Sequence, residues 1–309
     1  MKYETAGHPI SGLKWTRKTT EKISSELESI GIIVSANTVC RLLKQMGFSL
    51  KVNCKKIESG ISNPPDPKKR DRQFGYIADL REKFTKRQLP VISVDTKKKE
   101  LIGNFKNWGD SWQESPIEVK DHDFPSDAKG KAIPYGIYDT QKNIGTVFLG
   151  VTRDTPSFAV DSIETWWKTE GKANYPDVKE LLILADSGGS NSCRSRVWKY
   201  KIQKNICNRY GLSIRVSHYP PGSSKWNPIE HRLFSEVSKN WAGRPLDSYE
   251  TVLKYIRTTK TSTGLRVKAH FVRKNYKTGE KVSNKQMDQI AIENGVLPEW
   301  NYILHPTKM

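Results

Sequence analysis

Two apolar segments that each end in an aspartate constrain the fold of this chain most strongly. Residues 90–95 read PVISVD, and residues 181–186 read LLILAD. Nearly continuous apolar runs of this length are typical of strands that are buried on both faces of a sheet. Ligands of open α/β sheets bind at the carboxyl ends of such strands, so we expect Asp95 and Asp186 at a binding edge.

The order of the predicted elements indicates an α/β fold. Early hairpin strands are followed by alternating helices and strands, which predicts a mixed sheet flanked by helices on both faces. This order is compatible with a ribonuclease H-like fold, although order alone does not single it out. The predicted strands cover residues 91–96, 101–106, 133–139, 145–152, 181–186 and 213–218, and the predicted helices include 192–209 and 227–241.

A small all-α segment precedes this sheet. Two short amphipathic patterns are separated by Gly31, and Ser35 is a natural N-cap for the second helix, which indicates a helix-turn-helix. An ordinary helical hairpin is the alternative. The outward face of the second helix carries residue types that contact phosphates and base edges, so we predict DNA contacts for Asn37, Thr38, Arg41, Lys44 and Gln45. A Pro-rich linker is expected over residues 55–71, followed by a helix.

Charge and composition narrow the function class. Lys and Arg number 52 against 33 Asp and Glu, a net charge of +19 that favours a polyanionic partner. We find neither an apolar run of about 20 residues nor a signal peptide, which argues against a membrane protein and favours the cytoplasm. No phosphate-binding glycine loop indicates a nucleotide cofactor. The spacing of the four cysteines suits neither zinc nor a CxxC pair, so we expect reduced thiols at Cys40, Cys54, Cys193 and Cys207.

A third carboxylate follows in the segment SSKWNPIEH. Asn227, Pro228 and Glu230 resemble the start of a capped helix, with Glu230 at the edge of its apolar stripe. Each acid taken alone has an ordinary explanation, as a turn residue or a capping partner. Together, Asp95, Asp186 and Glu230 predict an oxygen-ligand site for two Mg²⁺ ions that supports phosphoryl transfer, and Mn²⁺ is expected to substitute.

Several cations near these acids are candidate DNA contacts. Lys97, Lys98 and Lys99 follow Asp95 directly, as either a phosphate clamp or a solvated turn. A period-two strand near residues 265–271 has one basic face, which suits a DNA backbone or simply solvent. The remaining predicted contacts are Lys225 and Arg232 near Glu230, and Arg266 and Lys268 on that strand.

Four segments resemble the ISAzo family of insertion-sequence transposases, which contain the Rhodopirellula-type transposase DDE domain. They read VISVDTKKKELIGNFKN, KAIPYGIYD, LLILADSGGSNSCR and PPGSSKWNPIEHRLFSEVSKNW, and the resemblance extends over nearly the whole chain. It implies a ribonuclease H-like core and a metal-dependent DDE mechanism in which Asp95, Asp186 and Glu230 are catalytic and metal-binding. Ser187 departs from the glycine usual in the family. Family members carry more helical sequence before residue 15, so we expect a truncated DNA-binding region here.

These inferences predict four regions: a helix-turn-helix at 1–54, a linker and helix at 55–89, a DDE core at 90–245, and a basic extension packed on the core at 246–309. The predicted function is that of a bacterial transposase that hydrolyses phosphodiesters at element ends and transfers the strand to target DNA. Terminal inverted repeats and target duplex are the expected partners, bound by a homo-oligomer at the nucleoid. The alternative is a catalytically inactive, transposase-derived DNA-binding protein. A nuclease acting on RNA or hybrids is disfavoured by the helix-turn-helix, which suits duplex DNA.

Overall fold

The computed structural model describes residues 18–50 and 66–307, together with the backbone of two short strands, Ala6–Gly7 and Lys14–Trp15. The chain forms two compact units, Met1–Ser59 and Gly60–Met309. Cys54 and linker residues 55–65 lie outside the described residues, whereas Cys40, Cys193 and Cys207 are free thiols, as expected. Within residues 18–50 and 66–307, the helices are too short or too polar to cross a membrane.

The first unit contains the two predicted helices, but the prediction that it is all-α is wrong, because two short paired strands precede the helices. Strands β1 (Ala6–Gly7) and β2 (Lys14–Trp15) pair antiparallel and precede α1 (Thr20–Glu28) and α2 (Ala36–Gln45). Ser35 caps α2 as predicted, because its hydroxyl accepts a hydrogen bond from the backbone N–H of Thr38 at 3.2 Å. Ile23 and Val39 are the buried apolar residues of the two helices.

One large mixed sheet organises the second unit. Its strands are β3 (Val91–Thr96), β4 (Glu100–Ile102), β5 (Gly130–Asp139), β6 (Ile144–Gly150), β7 (Glu180–Ala185), β8 (Ser213–His218), β9 (Arg266–Val272), β10 (Ile292–Asn294) and β11 (Asn301–Leu304). They run in the order β10-β11-β8-β7-β3-β5-β6-β9, and β4 pairs with the start of β5.

The central five strands have ribonuclease H-like topology, which confirms the predicted fold class. Strands β3, β5 and β6 form an antiparallel meander, whereas β7 and β8 lie on the other side of β3 and run parallel to it. Residues after 245 extend this sheet at both sides. Strand β9 pairs parallel with β6, and β11 pairs antiparallel with β8, so the predicted extension contributes edge strands.

Helices cover both faces of the sheet. One face packs Trp166 and Trp198 against Ile92 and Val94 of β3. On the other face, separate clusters bury the Glu230 helix and the helix that precedes β3. The α-helices of four or more residues are α3 (Pro67–Lys86), α4 (Pro156–Trp166), α5 (Arg196–Lys201), α6 (Ser235–Asn240), α7 (Tyr249–Thr258) and α8 (Asn284–Met287). The π-helical turns at Trp167–Gly171, Ile202–Cys207 and Glu230–Phe234 adjoin α4, α5 and α6, and the first two continue into short α-helical segments at Lys172–Asn174 and Asn208–Tyr210.

Three predicted boundaries are wrong. Helix α3 begins at Pro67 rather than after the predicted linker end at residue 71, because Asp66 caps it and proline suits the first helical turn. The predicted strand 101–106 is only β4, since Gly103 (φ +154°) ends the extended conformation. The helix predicted from residue 192 begins at Arg196, where Ser195 provides the N-cap.

Candidate active site

Asp95 and Asp186 lie side by side at the carboxyl ends of neighbouring parallel strands. Val94 of β3 pairs with Ala185, the last residue of β7, so the two aspartates occupy the next positions. Asp95 is buried, and its side chain accepts a hydrogen bond from the backbone N–H of Thr96 at 2.7 Å. The predicted position of both acids at one sheet edge therefore agrees with the structure.

Hydrogen bonds to β3 position the start of the Glu230 helix. The Asn227 amide donates to the backbone oxygen of Val94 at 3.2 Å, and its carbonyl accepts from the Ser93 hydroxyl at 2.5 Å. Ser93 also accepts from the backbone N–H of Ile229 at 3.0 Å. These contacts begin the helix beside Asp95, with the π-helical turn starting at Glu230.

The alternative interpretation of Asn227 and Glu230 as a capping pair is therefore wrong. Asn227 directs its side chain to a strand more than 130 residues earlier in the chain, and Ser93 supplies the hydroxyl that accepts from the helix N–H. Glu230 is consequently free to share a hydrogen bond with Asp95. The structure brings all three predicted carboxylates to one place.

Burial and mutual repulsion keep these acids from ionising together. Burial and the charge of Asp186 raise the pKa of Asp95 above its ordinary value. Burial also raises the pKa of Asp186 and of Glu230, and Lys97 partly offsets this for Glu230. The contact between the Asp95 and Glu230 side chains raises the pKa of Asp95 and lowers that of Glu230.

The donor set fits a hard divalent cation. All three side chains offer carboxylate oxygens, which Mg²⁺ prefers, and a cation would relieve the repulsion among them. The Oδ1 atom of Asp186 is buried without a hydrogen-bond partner, so a cation would satisfy it. Within residues 18–50 and 66–307, no three His, Cys, Asp or Glu side chains are arranged to hold one ion by themselves, and Mg²⁺ in phosphoryl-transfer sites is bound by one or two carboxylates together with water and phosphate oxygens.

A fourth carboxylate, Asp154, adjoins the site and was missed by the sequence analysis. Its Oδ1 accepts a hydrogen bond from the Thr96 hydroxyl at 3.1 Å, and its charge raises the pKa of Asp186. Asp154 follows the end of β6, which lies at the same sheet edge as Asp95. The available signal was an acidic residue shortly after an apolar strand. Several arginines, threonines and other acids also follow apolar strands, so this signal does not single out Asp154.

A buried chain of hydrogen bonds supports the backbone of Asp186. Trp198 donates its indole N–H to the Tyr302 hydroxyl at 2.9 Å, and that hydroxyl lies 3.1 Å from His218 Nε2. His218 Nδ1 lies 2.8 Å from the backbone oxygen of Asp186. The carbonyl can only accept, so Nδ1 carries the proton and Nε2 accepts from Tyr302.

The comparison with protein families gives a match over residues 1–306, to the model described as Rhodopirellula transposase DDE domain. The chain belongs to this family. The resemblance found in the sequence is thereby confirmed. No curated protein matches the chain.

Solved structures of Mos1 transposase are similar to this family member. The paired-end complex with the left transposon end matches with a TM-score of 0.45 and 16% identity over 77% of this chain and 65% of that one. The strand transfer complex matches with a TM-score of 0.45, 15% identity and coverages of 77% and 64%. The paired-end complex with Mn matches with a TM-score of 0.44, 16% identity and coverages of 77% and 65%. The chain thus spans slightly less than two thirds of these proteins.

Of the predicted DNA contacts in this family member, the lysines after Asp95 lie beside the acids. Lys97 is largely buried, with its ammonium 2.7 Å from Glu100 and 4.6 Å from the ring centroid of Trp241. Lys98 and Lys99 are exposed, and Lys99 lies 3.8 Å from Asp154. Lys225 lies over the Trp226 ring, close before Glu230 in the chain.

Three other predicted contacts within the second unit lie farther from the acids. Arg266 pairs with Ile144 at the start of β6, which is at the opposite edge of the sheet. Lys268 lies level with Val94 but three strands away from it, on β9, and forms a 3.0 Å ion pair with buried Glu170. Arg232 lies near Tyr138, also toward the opposite edge.

In the first unit, α2 exposes four of the five predicted residues, whereas Thr38 is half-buried beside the Ser35 cap; the exposed four are Asn37, Arg41, Lys44 and Gln45.

Proposed function

We propose that this chain is the DNA transposase of a bacterial insertion sequence. The observation that carries the proposal is the convergence of Asp95, Asp186 and Glu230 at one sheet edge in a member of a transposase DDE-domain family. The reaction is metal-dependent hydrolysis of a phosphodiester at the element end, followed by transfer of the freed strand to target DNA. The protein would therefore act at the nucleoid.

Asp95, Asp186 and Glu230 would hold two Mg²⁺ ions, for which Mn²⁺ can substitute. Bound there, such ions supply an activated water and stabilise charge on the leaving oxygen. The protein's own part is to fix the three carboxyl groups. Asn227 and Ser93 hold Glu230 beside β3, and the His218 chain holds the backbone of Asp186.

Duplex DNA is the proposed partner, as terminal inverted repeats and as target. The exposed polar face of α2 supplies contacts for recognition, and the lysines after Asp95 supply contacts to phosphates near the acids. Because transposition joins two element ends, we propose a homo-oligomer assembled on DNA. Within the described residues, nothing favours the inactive alternative, since all three carboxylates lie at the site.

A strand-cleavage assay with Mg²⁺ or Mn²⁺ on DNA that carries the element's own ends tests this proposal. We expect Asp95→Asn and Glu230→Gln to lower cleavage about a hundredfold or more, with DNA binding largely intact. Neither variant should lower the melting temperature, because each replaces a carboxyl group with an amide of nearly the same shape in a crowded acidic cluster. Asp110→Asn, which changes an exposed acid of the loop after β4, is the control and should cleave like the parent. Full cleavage by Asp95→Asn would contradict the assignment.

A further inference from the structure

A cleft that begins at Lys98 and Lys99 is bounded by lysines and an exposed tryptophan. Its volume is about 260 Å³, and its lining includes Lys98, Lys99, Lys106, Asn107 and Trp108. Two acids also line it, Asp123 and Glu100, of which Glu100 is paired with Lys97. The cleft is smaller than the roughly 300–1,000 Å³ of pockets for drug-sized ligands, so it suits a single base.

Trp108 presents its ring to solvent from a rigid backbone. Its side chain is 79% exposed, and its ring contact is with the ammonium of Lys106, 5.1 Å from the ring centroid. Its backbone oxygen accepts a hydrogen bond from Gly243 at 3.2 Å, and the amide of neighbouring Asn107 donates to the backbone oxygens of Trp241 and Arg244.

Close packing of two loops holds this backbone in place. Gly109 has φ +115°, and a Cβ there would lie 2.6 Å from that of Ala242. Gly243 has φ +69°, and its own Cβ would lie 2.9 Å from the Gly109 oxygen. Only glycine permits this approach without strain. A large apolar ring fixed in solvent costs hydration free energy, which is recovered when a ligand covers the ring.

The cleft adjoins the proposed reaction site through two contacts. Lys99 lies 3.8 Å from Asp154, which in turn accepts the Thr96 hydrogen bond next to Asp95. Lys97, the residue before Lys98, acts electrostatically on Glu230. A DNA strand whose phosphate reaches the acids would therefore pass the lysines, which line the same cleft as Trp108.

We propose that Trp108 stacks with an unpaired base of the DNA strand at the cleavage site, while Lys98, Lys99 and Lys106 contact the adjoining phosphates. This subsite rests on the proposed function. Bases inside a duplex are covered on both faces by their neighbours, so the indole stacks on a base that has left the duplex stack, and such stacking is sequence-tolerant. The cleft therefore selects for a frayed or single-stranded end rather than for a particular sequence.

The test compares a blunt duplex with the same duplex extended by a short thymidine overhang, in EDTA so that no strand is cut. A 2-aminopurine at the first unpaired position reports stacking by its fluorescence. We expect the parent to bind the overhang duplex more tightly and to quench the probe. Trp108→Ala should weaken overhang binding about tenfold, abolish quenching and leave blunt-duplex binding within about twofold, whereas Trp108→Phe should retain most of both effects.

Trp112→Ala is the matched control, since Trp112 is fully exposed in the same loop but does not line the cleft. Retention of overhang preference and quenching by Trp108→Ala, or equal losses in Trp112→Ala, would overturn the subsite. Parallel Mn²⁺ cleavage assays separate the two proposals. If the parent protein cleaves DNA but Trp108→Ala changes neither overhang binding nor quenching, the proposed transposase function stands and the subsite is wrong. If the parent protein does not cleave DNA but Trp108→Ala weakens overhang binding and abolishes quenching, the subsite stands and the proposed transposase function is wrong.

Discussion

His218 is a single residue that should make the stability of the protein depend on pH. Burial lowers its pKa to about 4, from an ordinary value of 6.5. Between these values the unfolded chain binds a proton that the folded chain does not, so the free energy of unfolding falls as the pH drops from 6.5 to 4. The loss approaches about 3 kcal/mol at the lower end.

The His218→Gln variant separates the contribution of His218 to the pH dependence of stability from the contributions of the acidic side chains. We expect its free energy of unfolding to fall less than the parent's between pH 7 and 4.5, as measured by urea denaturation at both values. His122→Gln changes an exposed histidine and should keep the parent's dependence. If His218→Gln and the parent lose equal stability over this range, His218 is not neutral in the fold.

The residue types at the ends of two apolar runs were enough to predict that Asp95 and Asp186 lie at one edge of the sheet. Their apolar runs are continuous, and β3 and β7 follow those runs closely. Asp154 was missed because its role depends on a hydrogen bond from Thr96, on a strand that is not its neighbour in the chain. Asn227 was misread for the same reason, since local spacing suggested a cap while its partners are in β3.

At the scale of elements, Gly136 determines how closely the Glu230 helix approaches the sheet. It pairs with Asp95 across β3 and β5, and a Cβ there would lie 2.6 Å from the ring of Phe234 and 2.8 Å from Ile229. We expect Gly136→Ala to displace the π-helical turn that begins at Glu230. Such overpacking costs about 1–3 kcal/mol and should also reduce cleavage.

Gly75→Ala provides the matched control for urea denaturation of this variant. Gly75 lies inside α3 with open space around the position of a Cβ, so alanine there should stabilise the protein by about 0.5–1 kcal/mol. A Gly136→Ala protein that unfolds at the parent's urea concentration would show that the helix does not depend on this close approach.

Edge elements were the least predictable part of the fold. Alternating residues predicted a strand near 265–271, and β9 is present there. Its parallel pairing with β6 could not be read from the pattern, because an alternating strand can pair with any free sheet edge. Strands β10 and β11 are short, and their place beside β8 depends on contacts such as that of Asn301 with Gln73 and Ser217.

At the scale of the whole molecule, the net charge of +19 predicts DNA binding that weakens steeply with salt, and the fold predicts where the charge matters. Lys131 and Arg153 line a cavity at the sheet edge that carries the acids, whereas Lys83 and Lys86 end α3 toward the opposite edge. Alanine at both Lys131 and Arg153 should reduce the slope of log K against log salt by about 1.8, because each lost phosphate contact contributes about 0.9. The charge-matched variant Lys83→Ala with Lys86→Ala should keep the parent's slope in the same fluorescence-anisotropy titrations. Equal reductions in both double variants would mean that the DNA follows overall charge rather than the edge with the carboxylates.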